Sequence, residues 1–268
     1  MSATPRTAVV TLCSTPRVGH LRRQLAALAH DCDADRIVVW IGEDDPPGLD
    51  ADALLHVPPG REGLRLAAAR NAGGDAAVRR GAEVVVFLDA DCVPGPALLP
   101  RYREAASRHP EAVLCGPVTY LPPGADVVDP LALAAATAPH PARPAPPDGV
   151  LVRASDEEYP LFWSLSFAVS AAAQPPRFDE AFEGYGGEDT DYAFRLRKTG
   201  VPLIWVGGAH AYHQHHATSS PPWQHLDDIL RNGALFAQRW GEWPMRGWLE
   251  AFAEAGAVRR EGTGWVRA

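Results

Sequence analysis

The sequence predicts an α/β fold: a mostly parallel central sheet flanked by helices, with a C-terminal helical extension. Through residue 121, strand-length apolar runs alternate with segments of helical spacing, the pattern of a parallel sheet covered by helices. After 121 the chain turns proline- and alanine-rich, and strand and helix signals resume only at 161. Residues 217–268 hold two amphipathic stretches.

In order, "TAVVTLC" (7–13) is a β-branched run of buried-strand type. "VGHLRRQLAALAH" (18–30) is helical, with Leu21, Leu25 and Leu28 on one face. "RIVVWIG" (36–42) is the second strand, followed by the polar loop "EDDPPGLDAD". "GLRLAAARNAGGDAAVRRGA" (63–82) is an alanine-rich helix, with Gly73-Gly74 expected to interrupt it. "EVVVFLD" (83–89) is the clearest strand, "GPALLPRYREAASRH" (95–109) a helix and "AVLCGPVTYL" (112–121) a strand. The stretch 122–160 reads as a long irregular excursion, a class of loop that is usually functional or disordered. "LFWSLSFAVS" (161–170) and "VPLIWVGG" (201–208) are strands, with a helix between them that starts at "GGEDTD". "WQHLDDILRNGALFAQRWG" (223–241) and "RGWLEAFAEA" (246–255) are terminal helices. Their Trp240, Trp243 and Trp248 suit a core first, with a homodimer surface or a membrane-surface contact as the other readings.

Composition narrows the function. Lys+Arg is 25 and Asp+Glu is 33, a net charge of −8, which argues against nonspecific nucleic-acid binding. No run approaches the ~20 apolar residues of a membrane span. The start, "MSATPRTAVVTLCSTPR", lacks the basic flank and long apolar run of a signal peptide. Cys13, Cys32, Cys92 and Cys115 form no CxxC pair and read as reduced thiols of a cytoplasmic protein.

Ligands of such sheets bind at the carboxyl ends of the strands, and polar residues gather there. "FLDADC" ends the best strand with Asp89 and Asp91 flanking Ala90. Strand alternation sends both carboxylates to one side, where hard oxygen ligands suit Mg²⁺ or Mn²⁺ beside a phosphate. After the first strand, Thr15, Pro16 and Arg17 form a loop opening a helix, a place for an anion. Arg70-Asn71 could present a guanidinium to a phosphate or base. His210, His213, His215 and His216 cluster after a strand as candidate metal ligands. In "EGYGGEDTDYAFRLRKTG" (183–200), acidic residues in a first helical turn stabilise the helix. Capping does not account for Gly186-Gly187 or Tyr185 beside them. Glycines let a ligand approach the backbone, and a carboxylate there could act as a general base.

Together, "VVTLCSTPRVGHLRRQLAAL", "AAARNAGGDAAVRRGAEVVVFLDADCVPGPALL" and "FDEAFEGYGGEDTDYAFRLRKTG" resemble the GT-A-fold, nucleotide-sugar-dependent glycosyltransferases, in particular family 2. The resemblance spans roughly residues 7 to 216. "YGGED" is similar to the tryptophan-glycine-glycine-glutamate-aspartate motif of β-1,4-galactosyltransferases and bacterial chondroitin polymerase, and "AHAYHQHH" to their histidine segment. The resemblance implies that Asp89 contacts the ribose or metal shell and that Asp91 and His213 bind Mn²⁺ or Mg²⁺, with His215 and His210 as rivals. It implies Thr15, Pro16, Arg17, Arg70, Asn71 and Ala90 on the nucleotide-sugar side, with Glu43 or Asp44 reading the base. "IGEDDPP" replaces the family's usual aspartate-aspartate-glycine-serine turn. Asp189 would be the general base, and Glu188, Gly187, Tyr185 and Trp163 would meet the acceptor. A UDP-sugar is the favoured donor, a carbohydrate or other hydroxyl-bearing molecule the acceptor, and inversion the stereochemical outcome. The implied units are a GT-A domain (1–216) and the extension (217–268). Within the first, 1–121 is the nucleotide-sugar half and 122–216 the acceptor half. A non-catalytic nucleotide-sugar-binding protein and a metal-dependent nucleotidyltransferase are the other classes. The first makes little use of Asp91, Asp189 and His213, and the second has no task for the GGED helix.

Overall fold

The computed structural model describes residues 4–29 and 34–268. Cys32, and the His30 end expected for the first helix, lie outside the described residues. Strands β1 (Thr7–Cys13), β2 (Ala34–Trp40) and β3 (Ala53–His56) pair in parallel, with helix α1 (Val18–Leu28) between the first two. Helix α2 (Leu66–Arg79) leads to β4 (Val84–Leu88), which lies parallel to β1 on its other side. The short strand β5 (Cys92–Pro94) and helix α3 (Leu98–Arg108) follow. Next come β6 (Val113–Cys115), β7 (Val118–Tyr120), the short helix α4 (Pro130–Ala135), β8 (Leu151–Arg153) and β9 (Ser166–Ser170). Helix α5 (Glu188–Thr199) connects to β10 (Leu203–Val206) and β11 (Ala211–His213). Helices α6 (Leu226–Trp240) and α7 (Arg246–Glu254) and the hairpin β12 (Val258–Glu261) and β13 (Gly264–Arg267) complete the chain.

The main sheet runs β3-β2-β1-β4-β9-β6-β10-β8. Pairing is parallel except around β9, antiparallel to both β4 and β6, and at β8, antiparallel to β10. Alternation along β4 sends Val85 and Phe87 to one face and Val84, Val86 and Leu88 to the other. Helices α2 and α5 pack on the first face through Ala67, Ala69, Ala77, Tyr192 and Leu196. Leu98, Leu99 and Tyr102 of α3 cover the second, and Leu21 and Leu25 of α1 pack with Val38 and Trp40.

Several sequence expectations need correction. The Gly73-Gly74 pair does not interrupt α2, which runs unbroken from Leu66 to Arg79. A Cβ at Gly73 would lie 2.3 Å from Val10 Cγ1 and 3.0 Å from Val39 Cγ2, so the glycine lets the helix lie close on β1 and β2. Gly73→Ala should therefore destabilise the protein by ~1–3 kcal/mol from overpacking, outweighing a helix-propensity gain of about 1 kcal/mol. Urea melts of the variant check this, and a variant more stable than the parent would contradict it.

The single strand expected over 112–121 is two strands. Gly116-Pro117 divides it, and Pro117 has no N–H for a ladder. β6 stays in the main sheet, while β7 joins a second sheet ordered β5-β11-β7. The strand expected over 161–170 begins only at Ser166, after a 3₁₀ turn over Asp156–Leu161. α4 and β8 lie within the 122–160 stretch expected to be irregular, and β3 directly follows the polar loop "EDDPPGLDAD".

The extension is not wholly helical, because the hairpin β12–β13 closes it. Its tryptophans follow the core reading. Trp243 and Trp248 pack with Ile229, Leu249 and Phe252, and Trp240 packs with Phe182, Phe194 and Phe236. The described cysteines Cys13, Cys92 and Cys115 are free and buried. Among the described residues no helix is long and apolar enough to cross a membrane.

Candidate functional site

The polar residues converge where β1 and β4 end, where β11 ends, and where α5 begins. Asp89 and Asp91 follow β4. Their turn is held from beneath by Gln24, fully buried on α1, whose Nε2 donates to the carbonyls of Asp89 (2.6 Å) and Cys92 (2.7 Å). Thr11 Oγ1 donates to Gln24 Oε1 at 2.8 Å and fixes the amide's orientation. Gln24 escaped the sequence reading, although its position three residues after Leu21 puts it on the apolar face, where a glutamine must find buried partners.

Asp91 is the hub of the first cluster. Its Oδ2 accepts from Arg17 Nε at 2.9 Å and lies 3.2 Å from His216 Nε2, and its Oδ1 lies 3.7 Å from His213 Nε2. One ligand atom from each of Asp91, His213 and His216 falls within 4.8 Å of the others. The Gln214 N–H donates to the Asp91 carbonyl at 2.7 Å, joining the end of β11 to the β4 turn. Burial opposes ionisation of Asp91, but the bond from His216 and the charges of His213 and Arg17 outweigh it and hold the carboxyl below its ordinary range. Burial lowers His213, which favours the neutral, metal-binding imidazole. Its ring stacks on Tyr120 at 4.4 Å.

His216, one of the four clustered histidines but not among those the resemblance singles out, is the second imidazole of this group. Strand alternation would pair His213 with His215, but β11 stops at His213, so alternation ceases to apply. The rivals are elsewhere. His210 is buried against Thr119 Oγ1 at 2.7 Å, with burial taking its pKa down to about 4. His215 is exposed, and its carbonyl faces His20.

The second cluster joins Asp89 to α5. Arg70, 4 % exposed, pairs through Nη1 with Glu188 Oε1 at 3.1 Å and through Nη2 with Asp89 Oδ1 at 3.6 Å. Asp89 keeps 38 % of its side-chain surface open. It is nonetheless crowded by protein, and burial raises its pKa, with Arg70 opposing and Asp91 and Glu188 adding to the rise. Glu188, expected to meet the acceptor, is buried and accepts from Arg70 Nη1.

Asp189 is half-buried. Its Oδ1 accepts from Thr190 N at 2.7 Å and Thr190 Oγ1 at 3.3 Å, and among the described residues Oδ2 accepts nothing. Burial and the Glu188 charge raise its pKa to about 7, against the lowering pull of Arg70 and Thr190. Gly186 (φ +87°) and Gly187 (φ +90°), the latter the N-cap of α5, adopt left-handed backbone that only glycine enters readily. This bend delivers three acidic residues to the first turn. The third, Asp191, is more than a helix-end charge. It is fully buried, accepts from Trp240 Nε1 at 2.9 Å and pairs with Arg195 at 3.2 Å, tying α6 to α5. Asn232 of α6 donates to the carbonyls of Glu183, Tyr185 and Gly186, so the extension braces the bend.

The remaining candidates lie around these clusters. Asn71 commits its amide to the 178–180 loop, donating to the Phe178 carbonyl and Glu180 and accepting from Phe178 N. These bonds brace that loop. Thr15 and Pro16 are exposed on a 3₁₀ turn, and Ala90 is buried between the aspartates. Glu43 and Asp44 are exposed beyond β2, with the Asp44 carbonyl accepting from Trp40 Nε1 at 2.6 Å. Tyr185 stacks on His225 at 4.3 Å. Trp163 lies 5.1 Å from His140, edge to face, and under the Arg143 guanidinium at 5.3 Å.

Residues 30–128 match the model of glycosyl transferase family 2. Among solved structures, the chain is similar to GalNAc-T7, crystallised with UDP, GalNAc and Mn²⁺. That match has a TM-score of 0.60 and 15% identity over 88% of this chain and 48% of that one. It is also similar to residues 1–349 of S. aureus TarS, with a TM-score of 0.54 and 15% identity over 87% of this chain and 64% of that one. The chain thus spans about half of the first and under two thirds of the second. No curated protein matches the sequence. The match to glycosyl transferase family 2 is thus confined to residues 30–128, and over most of its length the chain has the GT-A fold.

Proposed function

We propose that the chain is a metal-dependent glycosyltransferase that moves a sugar from a nucleotide-sugar, a UDP-sugar foremost, to an acceptor hydroxyl with inversion. One observation carries this reading. Ligand atoms of Asp91, His213 and His216 lie within 4.8 Å of one another, and Arg70 joins Asp89, two residues before Asp91, to Glu188, the residue before Asp189. The family 2 match and a GT-A neighbour crystallised with UDP and Mn²⁺ support it.

The donor set fits a divalent cation. Asp91 would supply a carboxylate oxygen, and His213 and His216 imidazole nitrogens. Imidazole beside carboxylate suits Mn²⁺ better than Mg²⁺, which prefers all-oxygen surroundings. When bound, the metal would neutralise charge on the departing diphosphate. The chain's residues account for the rest. Asp189 Oδ2 takes the proton of the acceptor hydroxyl as its oxygen bonds the anomeric carbon. The bond from that carbon to the diphosphate oxygen breaks on the opposite side, its electron pair leaving with the diphosphate. A single displacement inverts the centre. Arg70 fixes Asp89 on the donor side and Glu188 beside the base. Tyr185, Trp163 and the backbone at Gly187 shape the acceptor side. Glu43 and Asp44 stand where the base ring would be read, and Arg17, with the Thr15-Pro16 turn, where phosphates would lie.

A thermal-shift screen of UDP-, GDP- and dTDP-sugars with and without Mn²⁺ tests this. A UDP-sugar with Mn²⁺ should stabilise by ~2.7 kcal/mol at a hundredfold excess over Kd, and neither alone should match it. The absence of metal-dependent stabilisation by any nucleotide would count against the reading.

A further inference from the structure

Arg17 already faces two of the three groups assembled for a cation. Its Nε donates to Asp91 Oδ2 at 2.9 Å, and its Nη2 lies 3.3 Å from Nδ1 and 3.2 Å from Nε2 of His216. His216 Nε2 is itself 3.2 Å from the same Asp91 oxygen. A guanidinium keeps its charge at any pH the protein survives. A divalent ion bonded to Asp91 and His216 would sit against that fixed positive charge.

We propose that Arg17 is an internal stand-in for the metal. It occupies Asp91 and His216 in the metal-free chain and yields them when a divalent cation binds. It then turns to the diphosphate of the nucleotide, so that cation and nucleoside diphosphate bind cooperatively. This rests on the reading above and adds to it a coupling between the two ligands.

The setting of Arg17 permits the exchange. Its side chain is 34 % exposed, and it closes a three-residue 3₁₀ turn, Thr15–Arg17, that buries no residue. The first N–H groups of α1 open directly after it, so a diphosphate beside this turn would meet both those donors and the guanidinium. Arg23, further along α1, is engaged with Gln214 Oε1. Linkage makes the coupling reciprocal: the factor by which UDP tightens the cation must equal that by which the cation tightens UDP.

The test is a Mn²⁺ titration of the full chain followed by electron paramagnetic resonance of free Mn²⁺, with and without UDP. It compares the wild type with Arg17→Gln, Arg17→Lys and Asp91→Asn. Arg17→Gln should bind Mn²⁺ about tenfold more tightly than wild type in the absence of UDP, and UDP should tighten it further by less than about threefold. Arg17→Lys keeps the charge but cannot bridge Asp91 and His216, and should fall between the two. If Arg17→Gln melts below the assay temperature, Arg17→Lys decides alone, and tightening without UDP is again the expected result. Unchanged or weaker Mn²⁺ binding in the folded variant, with Asp91→Asn abolishing it, would overturn this inference and leave the functional reading standing. Failure of the wild type with UDP and of Arg17→Gln to bind Mn²⁺ at all would overturn both.

Discussion

Replacing Asp189 with Asn should lower sugar transfer by roughly 10²–10⁴-fold, the usual contribution of a positioned general base, while UDP and Mn²⁺ binding stay near wild type. The variant keeps the shape and the Thr190 contacts but cannot accept the acceptor's proton. A sugar- or nucleotide-binding module would lose nothing by the change, so the result separates an enzyme from a binding protein. The pH profile follows from the same group. The base is competent only when ionised, and burial with Glu188 alongside raises its pKa to about 7. Transfer should climb as pH rises through about 7 and level off above it. Stability should move the other way. With a folded pKa above the unfolded 3.8, the native state binds the proton more tightly between those values. Asp189 therefore contributes stability at low pH that is lost as pH rises towards 7. Asp189→Asn removes that loss and should melt no lower than wild type at pH 8. Steady-state rates and melts over pH 5–9 check both, and a rate that holds constant below pH 6 would contradict the assignment.

The largest stability effect is expected at Arg70. Its guanidinium is 4 % exposed between Glu188, also buried, and Asp89. Arg70→Met leaves both carboxylates without their cation, and breaking a buried pair from one side costs about 3–5 kcal/mol. For a chain of this size that corresponds to a fall in Tm of roughly 10 °C. Adding Glu188→Gln to Arg70→Met should recover part of the loss, because the stranded charge is then gone. Denaturant melts of the single and double variants measure it. A single variant within 1 kcal/mol of wild type would mean that water already satisfies those carboxylates.

Much of this arrangement was legible in the residues. β1, β2 and β4 are fully or mostly buried, so their apolar runs are continuous and easily read. Asp89 and Asp91 stand out because they end the most apolar run. Gly186 and Gly187 mark a bend that other residues enter only under strain. What escaped depends on contacts between distant segments. Nothing local in "SFAVS" says that β9 enters the sheet antiparallel between β4 and β6. The hairpin β12–β13 carries arginine and glutamate on short strands, which hides its alternation. The family match ends at residue 128, before α5 and β11, so it covers Asp89 and Asp91 but not Asp189, His213 or His216. Nor does the sequence show that Arg70, 118 residues earlier, lies against Glu188.

The most direct test is release of UDP from a panel of UDP-sugars by metal-stripped protein, with and without added Mn²⁺, for wild type and Asp91→Asn. Release should be absent after stripping, return with Mn²⁺ in the wild type, and stay absent in Asp91→Asn. Turnover that survives metal removal, or that Asp91→Asn supports as well as the wild type, would contradict the metal-dependent mechanism at its centre.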